Sequence, residues 1–189
     1  NDHIVSMGSC TTNAVAPLAK ILDEKFGIKN GFVNTVHSYT NSQNKAYPNW
    51  RTDSAAKLSI IPSTTGATKT VEKCLPNLRG RLNGLSLRVP TETVSIVEFV
   101  FASSEETTPQ KVNEALQKAS QSEALKNILF FEVKRLISND LKGSPYSGVV
   151  DANLTQAFGN LVKVLIWYDN EWGYACRLAE MADYVGSKL

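Results

Sequence analysis

The segment SCTTNAVAPLAKILDEKFGIKNGFVNTVHSYT (residues 9–40) joins two different side-chain periodicities at Gly27. Within 11–26, apolar residues fall at 14, 15, 18, 21, 22 and 26, the stripe of an amphipathic helix. Gly27 is its expected stop, and Pro17 predicts a local irregularity in the early turns. Residues 31–39 are rich in β-branched and aromatic side chains and read as a strand. A strand that follows such a helix can bring the chain back beside the helix start, an arrangement that would set His37 within reach of Cys10.

Working outward, residues 40–62 are polar with little periodicity and predict a long ordered loop. Residues 66–75 read as a helix stopped by Pro76, and 82–90 and 93–103 as strands, with Val94, Ile96 and Phe99 set among polar neighbours in the second. A helix is expected at 109–119, with Pro109 in its first turn. Further strands are expected at 129–137, 147–152 and 160–168. A last helix at 171–187 would carry Ala175, Leu178, Ala179, Ala182 and Val185 on one face. Strands and helices without a regular βαβ rhythm predict an α+β fold: a largely antiparallel or mixed sheet with helices packed on one face. No G-x-G-x-x-G follows a strand, so the usual dinucleotide fingerprint is missing.

Composition narrows the function classes. A chain of 189 residues with 42% hydrophobic and 20% charged side chains matches a globular domain that needs no metal or disulfide. Twenty basic against eighteen acidic residues, a net charge of +2, argue against nucleic acid or an anionic membrane as partner. Cys10, Cys74 and Cys176 are too few for a disulfide framework and form no zinc pattern. No apolar run approaches a membrane span, and the expected compartment is the reducing cytoplasm. The opening Asn1-Asp2-His3-Ile4-Val5, without an initiator Met, reads as the start of an internal fragment.

Cys10 stands where an extended segment gives way to a helix, whose amino terminus favours a thiolate; a nearby imidazole would favour it further. A small buried hydrophobe is the competing reading for a lone cysteine, and a hydrogen-bonded structural residue for a strand histidine. Ser63-Thr64-Thr65-Gly66 precedes a helix and could cradle an anion or simply cap it. Arg88, inside a strand, needs a phosphate or a carboxylate partner. The run Trp167 to Tyr174 is dense in aromatic and polar groups at a strand-to-helix junction, suited to packing or to an amide contact with a ligand.

Together these segments resemble the glyceraldehyde-3-phosphate dehydrogenase family over essentially the whole chain. Ser-Cys-Thr-Thr-Asn at 9–13 is similar to its nucleophile motif and Thr-Val-His at 35–37 to its base segment. Ser-Thr-Thr-Gly-Ala at 63–67, Leu-Arg-Val-Pro-Thr at 87–91 and Trp-Tyr-Asp-Asn-Glu at 167–171 match in type and order. The resemblance implies a cysteine nucleophile, Cys10, and a base, His37, that oxidise a triose phosphate through a thiohemiacetal and a phosphate-cleaved thioester. It implies that Ser9, Thr11, Thr65 and Gly66 line the place of the attacking phosphate, and that Thr40 and Arg88 hold the substrate's phosphate. Asn170 is expected to orient a nicotinamide carboxamide, with Tyr174 packed nearby. NAD or NADP would be bound mainly by an amino-terminal domain outside this chain. Residues 1–9 would be the tail of that domain, 10–169 the catalytic domain, and 170–189 a helix packing back against it. A chain without that domain is expected to be inactive and to expose apolar surface on its last helix. The family is homotetrameric, and residues 38–62 correspond to a loop that shapes a neighbouring subunit's cofactor site.

Two positions depart from the family pattern: Ala14 replaces a frequent second cysteine, and the shortened loop has Thr52 beside Arg51 where a phosphate-assisting arginine is common. The loop change bears on substrate identity and keeps erythrose-4-phosphate dehydrogenase, or a repurposed non-glycolytic member, as the alternative within the family. From other classes, a Cys–His hydrolase would need no Arg88, and a non-catalytic assembly role would need no intact Cys10–His37 pair.

Overall fold

The computed structural model describes residues 4–40 and 59–188; Arg51, Thr52 and most of the expected loop lie outside them. The α+β expectation holds. Among the described residues, eight strands form one mixed sheet in the order β2-β3-β1-β4-β8-β6-β5, with β7 paired to β8. These are β1 (Ile28–Ser38), β2 (Ile61–Thr64), β3 (Leu82–Val89), β4 (Ser95–Ser103), β5 (Leu129–Glu132), β6 (Gly148–Asp151), β7 (Gln156–Phe158) and β8 (Leu161–Tyr168). The helices are α1 (Cys10–Phe26), α2 (Ala67–Cys74), α3 (Pro109–Ser120) and α4 (Trp172–Gly186). β1 runs parallel to β3 and β5 to β6; the other pairings are antiparallel.

Helix α1 is the centre of the core. It buries Ala14, Val15, Leu18, Ala19, Ile21 and Leu22 against Val33, Val97, Phe99, Val164 and Ile166 of the sheet. Each fully buried Val, Leu, Ile or Phe contributes about 1.5–3 kcal/mol relative to exposure. Ser9 caps the helix, its Oγ accepting from the N–H of Thr12 at 3.0 Å, and Gly27 ends it with φ 65°. The helix runs through Pro17 unbroken, so the expected irregularity reduces to the N–H that proline cannot give to the carbonyl of Asn13.

Strand β4 buries Ser95, Val97, Phe99, Phe101 and Ser103, and Ile96 lies on the opposite, half-buried face. The grouping of Val94, Ile96 and Phe99 on one pattern therefore mixes two faces; Val94 precedes the strand, with φ 70°. Two short strands have no counterpart in the sequence reading. β2 contains Pro62, which a ladder tolerates because β2 is an edge. β7 forms a hairpin with β8 across Gly159-Asn160. β5 ends at Glu132, earlier than expected, and a 3-10 turn occupies Ser138–Leu141.

Helix α4 meets the rest of the chain mainly through its first turns. A Cβ at Gly173 would stand 2.6 Å from the carbonyl oxygen of Tyr146, so only glycine permits this approach. The Arg177 guanidinium donates to the carbonyl of Asn127 at 2.7 Å and pairs with Glu180. Leu178, Ala175, Ala179 and Ala182 are exposed and Val185 is half-buried.

Candidate active site

At the carboxyl ends of β1 and β3 the helix-covered face of the sheet changes from apolar to polar. Register pairs Val33 with Gly84, Thr35 with Ser86 and His37 with Arg88. On the other side of β1, Ser95 of β4 pairs with Tyr168 of β8. The amino terminus of α1 closes over this end, which places Cys10 above His37 with 3.6 Å between Sγ and Nε2. Ser9, Cys10, Thr11, His37, Thr40, Thr65, Gly66, Arg88 and Asn170 line one cleft of about 740 Å³. Tyr174 does not line it. Its hydroxyl donates to the carbonyl of Gly8 at 3.2 Å, tying α4 to the segment that leads into Cys10.

The imidazole is held in one tautomer. Nδ1–H donates to the carbonyl of Ser38 at 2.7 Å, which leaves the Nε2 lone pair facing the thiol. Burial, aided by the positive charge of Arg88, lowers the His37 pKa to about 4, so the ring is neutral at ordinary pH. Burial also pushes the Cys10 thiol up; the N–H and hydroxyl of Thr11 and the Arg88 charge oppose this without reversing it. Burial thus works against the thiolate expected from the helix terminus and the imidazole. The helix end does act on Cys10, through the Thr11 N–H, but desolvation is the larger effect and His37 carries no charge to add.

Three further groups fix the surroundings. The Thr11 hydroxyl bonds the phenol of Tyr168 at 2.8 Å, and Tyr168 meets the His37 ring edge-on with centroids 6.0 Å apart. Burial holds the Tyr168 phenol far above its usual range, so it stays protonated. Arg88 gives Nη1 to the Ser38 carbonyl at 3.4 Å, while its buried Nε has no protein partner. The buried hydroxyl of Ser86, also on the cleft, has none either. At the amino end of α2, Gly66 caps without a side chain, and the Thr65 hydroxyl accepts from the N–H of Ala67 at 3.2 Å.

Sequence reading missed Ser38, Ser86 and Ser95, and gave Tyr168, inside a quoted motif, no role of its own. The signal was partial: Ser86, Ser95 and Tyr168 alternate in phase with a core position of their strands, whereas Ser38 follows the inward-facing His37 directly and falls on the other parity of β1, and only strand register shows that they meet. Among the described residues no cluster of His, Cys, Asp and Glu could hold a metal ion, and no helix is long and apolar enough to cross a membrane.

Residues 9–170 match the family model for the glyceraldehyde 3-phosphate dehydrogenase C-terminal domain. The chain is 47% identical to glyceraldehyde-3-phosphate dehydrogenase 2 of Trichormus variabilis, over 98% of this chain and 56% of that protein. It is also 47% identical to the glyceraldehyde-3-phosphate dehydrogenase of Geobacillus stearothermophilus, with the same coverage. Against that of Streptomyces coelicolor the identity is 45%, over 100% of this chain and 57% of that protein. The chain thus spans somewhat more than half the length of these curated relatives. On the match to the domain model and on these identities, the chain belongs to the glyceraldehyde-3-phosphate dehydrogenase family, as its C-terminal catalytic domain.

Proposed function

We propose that this chain carries the chemistry of a phosphorylating aldehyde dehydrogenase, oxidising glyceraldehyde 3-phosphate to 1,3-bisphosphoglycerate with NAD or NADP. The supporting observation is a thiol–imidazole pair at 3.6 Å in a cleft that also holds Arg88, with an unpartnered Nε, and the amino end of α2. A hydrolase of the Cys–His type has no need of the last two.

Cys10 Sγ attacks the aldehyde carbon as its proton passes to Nε2 of His37, and a C–S bond forms while the carbonyl opens to an oxyanion. His37 returns the proton to that oxygen, giving a thiohemiacetal. His37 then removes the hydroxyl proton as the carbonyl reforms, leaving a thioester on Cys10. The C–H bond of the same carbon breaks in this step, and a nicotinamide in its oxidised form, held beside Asn170, would supply the acceptor for the departing hydride. A phosphate oxygen then attacks the thioester, the C–S bond breaks, and Cys10 leaves as a thiolate that His37 reprotonates. The proton of the attacking hydrogen phosphate goes to solvent. The low basicity of buried His37 suits it to pass a proton on rather than retain it. Arg88 and Thr40 hold the substrate's own phosphate; Ser9, Thr11, Thr65 and Gly66 border the attacking one, with the positive end of α2 behind it.

The nicotinamide fits Asn170. The amide oxygen of Asn170 accepts from the hydroxyls of Ser38 at 2.8 Å and Ser95 at 3.0 Å, which leaves its NH₂ for the ligand. The dinucleotide is otherwise held by a further domain, of which 1–9 form the tail and against which the exposed face of α4 packs. Leu178, 50% exposed, and Trp172, 55% exposed, support that docking. The site of action is the cytoplasm, and the assembly is a homotetramer.

The test is an assay of the complete protein with glyceraldehyde 3-phosphate, inorganic phosphate and NAD, beside a Cys10→Ser variant. Phosphate-dependent turnover lost in the variant is the expected result. Turnover with erythrose 4-phosphate alone would move the reading within the family, and none with either aldehyde and either dinucleotide would overturn it.

A further inference from the structure

Ser38 is completely buried, and each of its polar groups is spoken for by a different site residue. Its carbonyl accepts from His37 Nδ1 at 2.7 Å and from Arg88 Nη1 at 3.4 Å. Its N–H donates to the hydroxyl of Ser95 at 3.1 Å, and its own hydroxyl donates to the amide oxygen of Asn170 at 2.8 Å. Ser95, 1% exposed, receives that N–H and sends its proton to the same amide oxygen at 3.0 Å. The two hydroxyls thus converge on one atom of Asn170. An amide turned the other way round would present NH₂ to both; the buried Ser38 hydroxyl proton would lose its acceptor, and that of Ser95 would have only the Tyr168 phenol to turn to. The amide has one favoured orientation, set from below by the ends of β1 and β4.

We propose that Ser38 and Ser95 are positioning residues that lock the Asn170 amide with its NH₂ toward the cleft, so that it recognises a hydrogen-bond acceptor, the carbonyl of a nicotinamide carboxamide. The inference rests on the dehydrogenase reading. Neither serine touches the ligand; both act through Asn170. The Ser38 carbonyl that fixes the His37 tautomer is backbone and survives substitution of the side chain, so the two tasks of Ser38 are separable. Ser95 faces inward because it shares the buried parity of Val97 and Phe99 on β4.

The experiment compares two dinucleotides by calorimetric titration of the complete protein: NAD, and its 3-acetylpyridine analogue, which keeps the carbonyl and replaces NH₂ by methyl. The unsubstituted protein, reading only the carbonyl, is expected to bind the two with dissociation constants within about threefold. In Ser38→Ala/Ser95→Ala the loss of one oriented hydrogen bond weakens NAD binding roughly five- to tenfold. The analogue weakens more, because the freed amide can turn its oxygen to the NH₂ of NAD and finds no such group on the analogue. A ratio of the two constants unchanged by the substitutions overturns the inference, since general damage would weaken both alike. In turnover the larger loss appears in KM for the dinucleotide, with KM for the aldehyde unchanged. Should the double variant not fold, the single Ser95→Ala and Ser38→Ala variants give the same comparison at smaller amplitude. Failure of the unsubstituted protein to bind either dinucleotide would overturn the dehydrogenase reading itself; intact binding with an unmoved ratio overturns only the role of the serines.

Discussion

At the scale of single residues, His37 links chemistry to stability. Its pKa is about 4 in the folded chain against 6.5 unfolded, because burial and Arg88 disfavour the cation. Above pH 6.5 both states are neutral and the group has no effect. As pH falls through 6.5 toward 4, the unfolded state takes up a proton that the folded state refuses, so stability is lost across that window. With 1.36 kcal/mol per unit, the loss reaches about 3 kcal/mol by pH 4. The urea midpoint of the chain is expected to fall over pH 6.5–4, and His37→Gln to flatten that part of the profile; an unchanged slope would show that His37 is not held neutral. In turnover, His37→Asn removes the proton acceptor but not the thiol. A fall in kcat of about 10²–10⁴ is expected, the range for a lost general base. A near-normal kcat would assign the proton to some other group.

At the scale of elements, the site depends on how two helices begin. Ser9 caps α1 directly before the nucleophile, accepting from the Thr12 N–H at 3.0 Å and meeting the Thr12 hydroxyl at 2.9 Å. Ser9→Ala is expected to destabilise the chain by about 1 kcal/mol, read as a lower urea midpoint. Asp169, 4% exposed, gathers more. It accepts from the N–H groups of Glu171 and Trp172 at 3.0 Å, from that of Gly143 at 2.9 Å and from the Thr93 hydroxyl at 3.2 Å. Asp169→Ala leaves these donors without their acceptor and is expected to cost about 3 kcal/mol or more in thermal or urea unfolding. A loss below about 1 kcal/mol would mean that water replaces the carboxylate. How much of this was legible in the sequence depends on the range of the interaction. The cap, the stripe of α1 and the strand holding His37 are local, and periodicity finds them. The face of β4 was misassigned at Ile96 because apolar residues occupy both sides of that strand. β2 and β7 are too short for periodicity, and Gly159-Asn160 was the one turn signal for the second. Nine of the named site residues border one cleft, while the serines beneath them show no motif, since their meeting depends on register across three strands. The electrostatics of Cys10 divide the same way: a helix terminus can be seen in sequence, but the burial that opposes it cannot.

At the scale of the whole molecule, the sheet has helices on one face only among the described residues. On the other, Phe32 is 57% exposed, Val36 39% and Leu85 43%. These side chains lie on β1 and the adjacent β3, so their exposure is contiguous rather than scattered; register sets Phe32 beside Asn83, Asn34 beside Leu85 and Val36 beside Leu87. A single exposed apolar residue needs no explanation, but a patch on a central strand pair does. Pairing of this face with a second copy would remove it from water, and a self-complementary contact of that kind closes naturally into a dimer or a tetramer. The charges nearby do not oppose it: Lys163 and Glu98, on neighbouring β8 and β4, form an ion pair at 3.5 Å within one chain. Phe32→Glu is therefore expected to lower the oligomeric state seen by sedimentation velocity while leaving far-ultraviolet dichroism unchanged, because the side chain points away from the core. Leu178→Glu on α4 serves as the contrast. If α4 meets another domain of the same polypeptide, that substitution should loosen the domains, seen as faster proteolysis between them, without changing the number of subunits. The reverse outcome, with Leu178→Glu dissociating subunits and Phe32→Glu silent, would place the subunit contact on α4 and leave the bare sheet face to some other occupant.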